Sequence, residues 1–542
     1  MSYIDEARDF EFNETPFHLG FLPTEQSNIL TRDLDLEFKR SIPAGIRNLQ
    51  SVDRNVSAMA ERVFPSAGFA ALCQEIFTTV ANGNTVVFSG CGATGRLSIL
   101  LETMWREGAP EYADQVKSIM TGGDFALVKS VESFEDHAIF GARQVRDLNM
   151  TPADLLVAIT EGGETSSVLG TVAEFTRLGG KAFLLFNNPA SLLREKLLRC
   201  REAIDNPSVT VLDLSCGPMA IAGSTRMQAT SCEQLIASAA LEVAAQKLYG
   251  LNDLPDFTAG FRELLDRLES EDSVNKMAAQ IALEEKTYAS GGRITYFAEK
   301  YMLDLFTDTT ERSPTFMLPP FRKTDDQISA EPWALVRNPL CSSEEAFRHV
   351  LGGRNLRCLE WKKSDYAAMG APEKILNDPP QISASEVIKF PIGNEKLSSR
   401  SATGKDAAVL FFYADPGKKL QEAFDRESAD FAGKSSFDAF VPGLTATKLR
   451  IFEHLAVKLQ WNNISTGTMV RLGRVSGNWM SYVAISNKKL IDRAIRLVAE
   501  LGNLDYHTAC EELFRSKSEA PGKPAVRYTL ERLGIDRDNS AR

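Results

Sequence analysis

The stretch Val86 to Glu102, VVFSGCGATGRLSILLE, constrains the chain more than any other. An apolar run of strand type passes through three glycines into helical spacing. Gly90, Gly92 and Gly95 allow positive φ and a close backbone approach to a ligand, and Thr94 offers a hydroxyl at a helix N-terminus, where amide dipoles favour anions. No Lys-Ser or Lys-Thr pair closes the turn, so it is not a Walker A loop. The glycines satisfy G-x-G-x-x-G, yet no convincing acidic ribose contact follows about 20 residues on. Taken alone, the turn leaves a phosphate ligand, a nucleotide and a purely structural bend open.

A second loop narrows the choice. After the apolar run LLVAI comes TEGGETSS, small and hydroxylated at another strand end. The backbone of Gly92, Ala93, Gly95, Gly162 and Gly163, with the hydroxyls of Thr94, Thr160, Thr165 and Ser166, could converge on one phosphate monoester. The competing reading is a helix cap by Thr165 or Ser166. Glu161 and Glu164 beside a dianion must point away or be paired.

The two loops belong to a longer alternation. TVVFSG, SIMTGGD, DLLVAITEGG, KAFLLFNNP and SVTVLDL read as strands separated by helical patterns, which implies a parallel sheet with ligands beyond its carboxyl ends. A less regular alternation follows, with RITYFAE, WALVRNP, NLRCLEW, VIKFPIG and AAVLFFYAD as strand candidates. The expected organisation is a helical or irregular segment 1–50, a first α/β domain 51–250, a connecting helix 251–285, a second, degenerate domain 286–446 and a helical region 447–542. Ile294 to Thr310 runs strand, turn, helix like Val86 to Glu102, but FAEKYMLDL replaces SGCGATGRL, so one phosphate site per chain is expected.

At 542 residues the chain has room for such domains, and its net charge of −11 argues against general nucleic-acid or anionic-membrane binding. The eight cysteines form no CxxC pair, and they and the five histidines lack ligand spacing, so no metal or organic cofactor is implied. The acidic N-terminus lacks an apolar signal-type run and no long apolar segment follows; a cytoplasmic location is the expectation.

The loops resemble those of SIS (sugar isomerase) domains, with Gly163-Glu164-Thr165 matching the second loop. More narrowly, GCGATGR, TGGDFALVKSVESFEDHA, AGSTRMQAT and NISTGTMVRLGRVSGNWM…NKKLIDRA resemble the N-acetylmuramic acid 6-phosphate etherase and glucokinase regulatory protein family. The resemblance implies an α/β fold of two SIS-type doubly wound parallel-sheet domains in tandem, forming a pseudo-dimer within one chain beneath a helical C-terminal lid.

Etherase members use two glutamates, one acting on the C2 proton of the open-chain sugar and one protonating the departing lactate. By resemblance the first is Glu135. The helix after the glycine turn carries Met104 at the position matching the second, whereas DTTERSPTF supplies it as Glu311. Lys489 matches a lysine that reaches the sugar phosphate, and Gln228 stands where a lysine is frequent. Ser224 and Thr225 read as helix caps, and His137 as a surface residue. The tandem layout implies a sensor of a hexose phosphate with a sugar kinase as partner, and this is the expected function; the alternative, implied by retention of both glutamates, is an etherase acting on N-acetylmuramic acid 6-phosphate. A phosphosugar isomerase is the third alternative.

Overall fold

Short apolar runs become the strands of two parallel sheets in the computed structural model, which describes residues 2–483, 485 and 488–535. The first sheet contains β1 (Val86–Gly90), β2 (Val116–Met120), β3 (Leu155–Ile159), β4 (Lys181–Phe186) and β5 (Val209–Asp213), in the order β2-β1-β3-β4-β5. All pairs are parallel, and Val86 pairs with Val116 on one side and Leu155 on the other. β1 and β3 are buried throughout, as continuous apolar strands covered on both faces must be. Their carboxyl ends finish side by side where strand order reverses, the crevice in which such sheets hold ligands.

The second sheet contains β6 (Ile294–Phe297), β7 (Ala334–Arg337), β8 (Ala407–Phe412) and β9 (Gly433–Asp438), in the order β7-β6-β8-β9. That is the order of the first four strands of the first sheet, with β6 in the place of β1. The architecture is therefore α/β, with two parallel sheets in tandem and helices between and after them.

Two expected strands are absent. NLRCLEW stays extended but unassigned beside β2, because Arg354 and Arg357 turn inward to pair with Glu102 and Asp124. VIKFPIG begins at the end of the short helix Ala384–Val387 and carries Pro391, which cannot donate to a ladder; Phe390 instead packs against Phe125. β9 fills the edge with GKSSFD, whose polar residues gave no apolar signal.

In chain order the helices that position the site are α1 (Tyr3–Asn13), α2 (Ile42–Val63), α3 (Gly92–Gly108), α4 (Ser166–Arg177), α5 (Gln228–Leu248), α6 (Glu271–Ala289), α7 (Met302–Phe316), α8 (Ile451–Arg471), α9 (Lys488–Gly502) and α10 (Tyr506–Glu519). Helix α2 runs through the expected break at 50/51. Helix α7 of the second half packs on α3 of the first and on α8. Of the region expected to form a lid, α8 is buried on nearly every face and packs against α5, α6 and α7, so it is an inner helix rather than a cover. Helices α9 and α10 lie outside it, α10 against α1, and residues 536–542 fall outside the described residues. Among the described residues no single helix is long and apolar enough to cross a membrane.

A buried ion chain ties these parts together. Arg226, just before α5, donates to Asp308 on α7 at 2.8 Å and to Ser465 and Thr466 on α8 at 3.3 and 3.1 Å. Arg312 on α7 meets Asp308 at 2.9 Å and Glu284 on α6 at 3.0 Å.

Candidate functional site

A cavity of about 140 Å³ opens where the carboxyl ends of β1 and β3 meet α7 and α9. Gly92 and Ala93 line it from the start of α3, Thr165 from the start of α4, Glu135 from the segment after β2, Glu311 from α7 and Lys489 from α9. Gly92 has φ +56°, and a Cβ there would stand 3.7 Å from Glu311 Oε1. The positive φ is what calls for glycine here, since a Cβ would make only ordinary contact with the carboxylate lent by the second half.

Each acid on the wall has a definite neighbour, with one exception. Lys489 Nζ donates to Glu135 Oε1 at 3.0 Å and to Glu164 Oε1 at 3.3 Å. Burial lowers the Lys489 pKa, but Glu135, Glu164 and Glu25 overcome it and hold the ammonium well above its ordinary range. Glu164 also accepts from Arg199 at 3.0 Å; burial raises its pKa, and Lys489 and Arg199 reverse the sign and keep it ionised. Glu311 pairs with Arg96, which is fully buried and also donates to the Leu127 and Ala126 carbonyls at 3.0 and 2.7 Å. The Glu135 backbone is pinned to the second loop, since Ser167 N–H donates to its carbonyl at 3.0 Å.

The exception is Glu161, which was expected to point away or be paired. Its carbonyl accepts from Asn187 N–H at 2.9 Å, fixing the loop, and its side chain lines the cavity with no cation bonded to it among the described residues. Burial, reinforced by the charges of Glu311 and Glu135, pushes its pKa up to about 8, so the carboxyl is protonated at neutral pH. The sign of its effect on stability follows. Below the ordinary value of 4.5 both folded and unfolded chains carry the proton. Between 4.5 and about 8 only the folded chain does, so stability falls across that window and the loss is complete above it. Denaturant midpoints measured from pH 5 to 8 should decline less in Glu161→Gln than in the unsubstituted chain; equal slopes would show that Glu161 ionises normally.

The other sequence candidates divide. Thr94 is buried and caps its own helix, accepting from Cys91 N–H at 3.0 Å and donating to the Cys91 carbonyl at 2.8 Å. Gly95 packs under β2, where a Cβ would meet Met120 Cγ at 2.8 Å. Thr160 is buried and donates to Thr165 Oγ1 at 3.0 Å, and Thr165 makes no side-chain capping bond, which leaves its hydroxyl at the cavity. The Gly162 carbonyl accepts from Asn188, Gly163 makes the left-handed turn at φ +80°, and Ser166 faces a separate groove along α4. None of these last three lines the cavity. Gln228 is structural, bonded to Asp53 and to Ala220 N–H at 2.8 Å each. Ser224 and Thr225 do not cap α5, whose N-cap is Met227; they line the cavity beside Arg226. AGSTRMQAT already displayed these hydroxyls and the arginine, but sequence spacing alone could not show that the turn before α5 reaches the same cavity as the glycine turn.

The model of the glucokinase regulatory protein N-terminal SIS domain matches residues 69–176. The N-acetylmuramic acid 6-phosphate etherase of Bacillus subtilis (strain 168) is 29% identical over 259 residues, 46% of this chain and 78% of that protein. The enzyme of the same name from Aeromonas hydrophila subsp. hydrophila is 30% identical over 228 residues, 41% of this chain and 71% of that protein. Among solved structures, the C-terminal domain of glucosamine-fructose-6-phosphate aminotransferase from Francisella tularensis is 11% identical, with 78% of this chain and 96% of that chain covered at a TM-score of 0.42. With its glycine turn, its second loop and the segment around Glu135 inside the matched stretch, the chain belongs to the N-acetylmuramic acid 6-phosphate etherase and glucokinase regulatory protein family.

Proposed function

We propose that the cavity takes a phosphorylated amino sugar and that the protein is a lyase which eliminates lactate from N-acetylmuramic acid 6-phosphate. The observation that carries this reading is the meeting of Glu135 and Glu311 at one cavity, each from a different half of the chain. The start of α4 with the Thr165 hydroxyl, and the start of α3 at Gly92 and Ala93, give the phosphoryl group amide dipoles and a donor. Lys489 adds a cation at the same mouth.

In this scheme Glu135, hydrogen-bonded by Lys489, removes the C2 proton of the open-chain sugar. The electron pair of that bond forms the C2–C3 double bond, the C3–O ether bond breaks, and the departing lactyl oxygen takes a proton. Two carboxyls stand on the wall to supply it: Glu311, the counterpart by family motif, and Glu161, the one held neutral. Environments that push carboxyl pKa values apart are what acid and base roles require.

The match to the regulatory protein's SIS domain favours a second reading, a hexose-phosphate sensor that engages a sugar kinase. Incubating the purified protein with N-acetylmuramic acid 6-phosphate and assaying lactate separates the two. Prompt release that is lost in Glu135→Gln supports the lyase. No release, together with thermal stabilisation by fructose phosphates, overturns it in favour of sensing, because a ligand bound only by the folded chain raises its melting temperature.

A further inference from the structure

The second half carries a cavity of its own, about 260 Å³ at the carboxyl end of β6. Its placement repeats that of the first. Helix α7 begins here as α3 begins at the first cavity, and α3 now lends Thr103 and Glu107 as α7 lends Glu311 there. Thr103 and Glu311 each stand 17 residues after the first residue of their strands, β1 and β6. The loss of glycines from FAEKYMLDL gave the expectation of one phosphate site per chain; a cavity is present beside that segment, lined by other residue types.

His454 of α8 is 7% exposed and lines this cavity. Its Nδ1 lies 2.9 Å from Asp304 Oδ2 and must donate, because a carboxylate only accepts. Nε2 has no hydrogen-bond partner among the described residues, and the residue lines the cavity. Asp304 Oδ1 is buried and has no hydrogen-bond partner among the described residues. Exposed Lys300 adds positive charge at the rim and the Arg450 guanidinium is matched by Glu107; Glu299 and Asp304 are the opposing carboxyls. The N-termini of α7 and α8, of 15 and 21 residues, both reach this space. An imidazole oriented by a buried carboxylate, with its outer nitrogen uncommitted beside two helix N-termini and a lysine, suits an anionic headgroup.

We propose that this cavity is a second ligand site, for a small phosphorylated metabolite whose phosphoryl oxygens accept from Lys300 and whose monoprotonated phosphoryl group donates its P–OH to His454 Nε2. The assignment rests on this cavity alone and stands whether or not the first one performs lyase chemistry. Calorimetric titration of the full chain at pH 6.5 with inorganic phosphate and with fructose 6-phosphate tests it, using Lys489→Ala to weaken the first cavity. The expected result is a binding event that survives in Lys489→Ala and weakens tenfold or more on adding Lys300→Glu or His454→Gln. Lys300 is exposed, so its substitution remains informative should the histidine variant fold poorly. Phosphate binding as tight as the sugar phosphate assigns the headgroup alone, and tighter sugar phosphate binding assigns the whole metabolite; both support the site. Absence of any binding in folded Lys489→Ala, or unchanged binding in Lys300→Glu and His454→Gln, overturns it. Lactate assays on the same variants keep the two cavities distinguishable, since Lys300→Glu should leave lactate release intact.

Discussion

Glutamine at position 135 is expected to cut the turnover of N-acetylmuramic acid 6-phosphate by roughly 10²–10⁴-fold, the span general-base removal commonly costs, with substrate affinity changed little. The reason is local. Lys489 sits 3.0 Å from the Glu135 carboxylate, and the Ser167 amide fixes the backbone behind it, so the amide side chain should keep the geometry while losing the ability to take a proton. A rise in KM with kcat preserved would make Glu135 a binding group and remove it from the chemistry. The same comparison in Glu311→Gln and Glu161→Gln identifies the proton donor: its substitution should abolish the alkaline limb of the pH–rate profile, and substitution of the other acid should leave that limb in place.

The largest stability effect should come from Arg312→Leu. Arg312 is 1% exposed and lies between Asp308 and Glu284, which is fully buried. Removing the guanidinium leaves Glu284 without a cation bonded to it and Asp308 with Arg226 as its remaining one, and breaking a buried pair in this way typically costs about 3–5 kcal/mol. Chemical denaturation should show the loss as a shifted midpoint. Adding Glu284→Gln should recover part of it, because the orphaned charge is then gone. A loss under about 1 kcal/mol would mean that water or rearrangement satisfies Glu284.

The first sheet was legible in the sequence because its central strands β1, β3 and β4 are buried almost throughout and so read as largely apolar runs that end in loops rich in glycine and small polar residues. The second was half legible. NLRCLEW and VIKFPIG have strand-like composition, yet buried arginine pairs and a proline decide their paths, and neither influence appears in local periodicity. The glycine turn, Glu135, Glu311 and Lys489 could be picked out by motif and do reach one cavity. What motif could not supply was which hydroxyls face inward. Thr94 and Thr165 look equivalent on paper, but one is tied to its own helix and the other is open. Glu161 was misjudged because a carboxyl beside a phosphate loop was assumed to be charged, whereas burial makes it a neutral hydrogen-bond donor.

The repeated strand order in one polypeptide has a consequence for how such a molecule can change over generations. In a symmetric dimer of identical subunits every substitution is copied into both mouths, so neither can be altered without the other. Here the two openings are encoded separately, and each residue exchange is confined to one of them. SGCGATGRL and FAEKYMLDL can therefore differ, and go on changing, without either constraining the other.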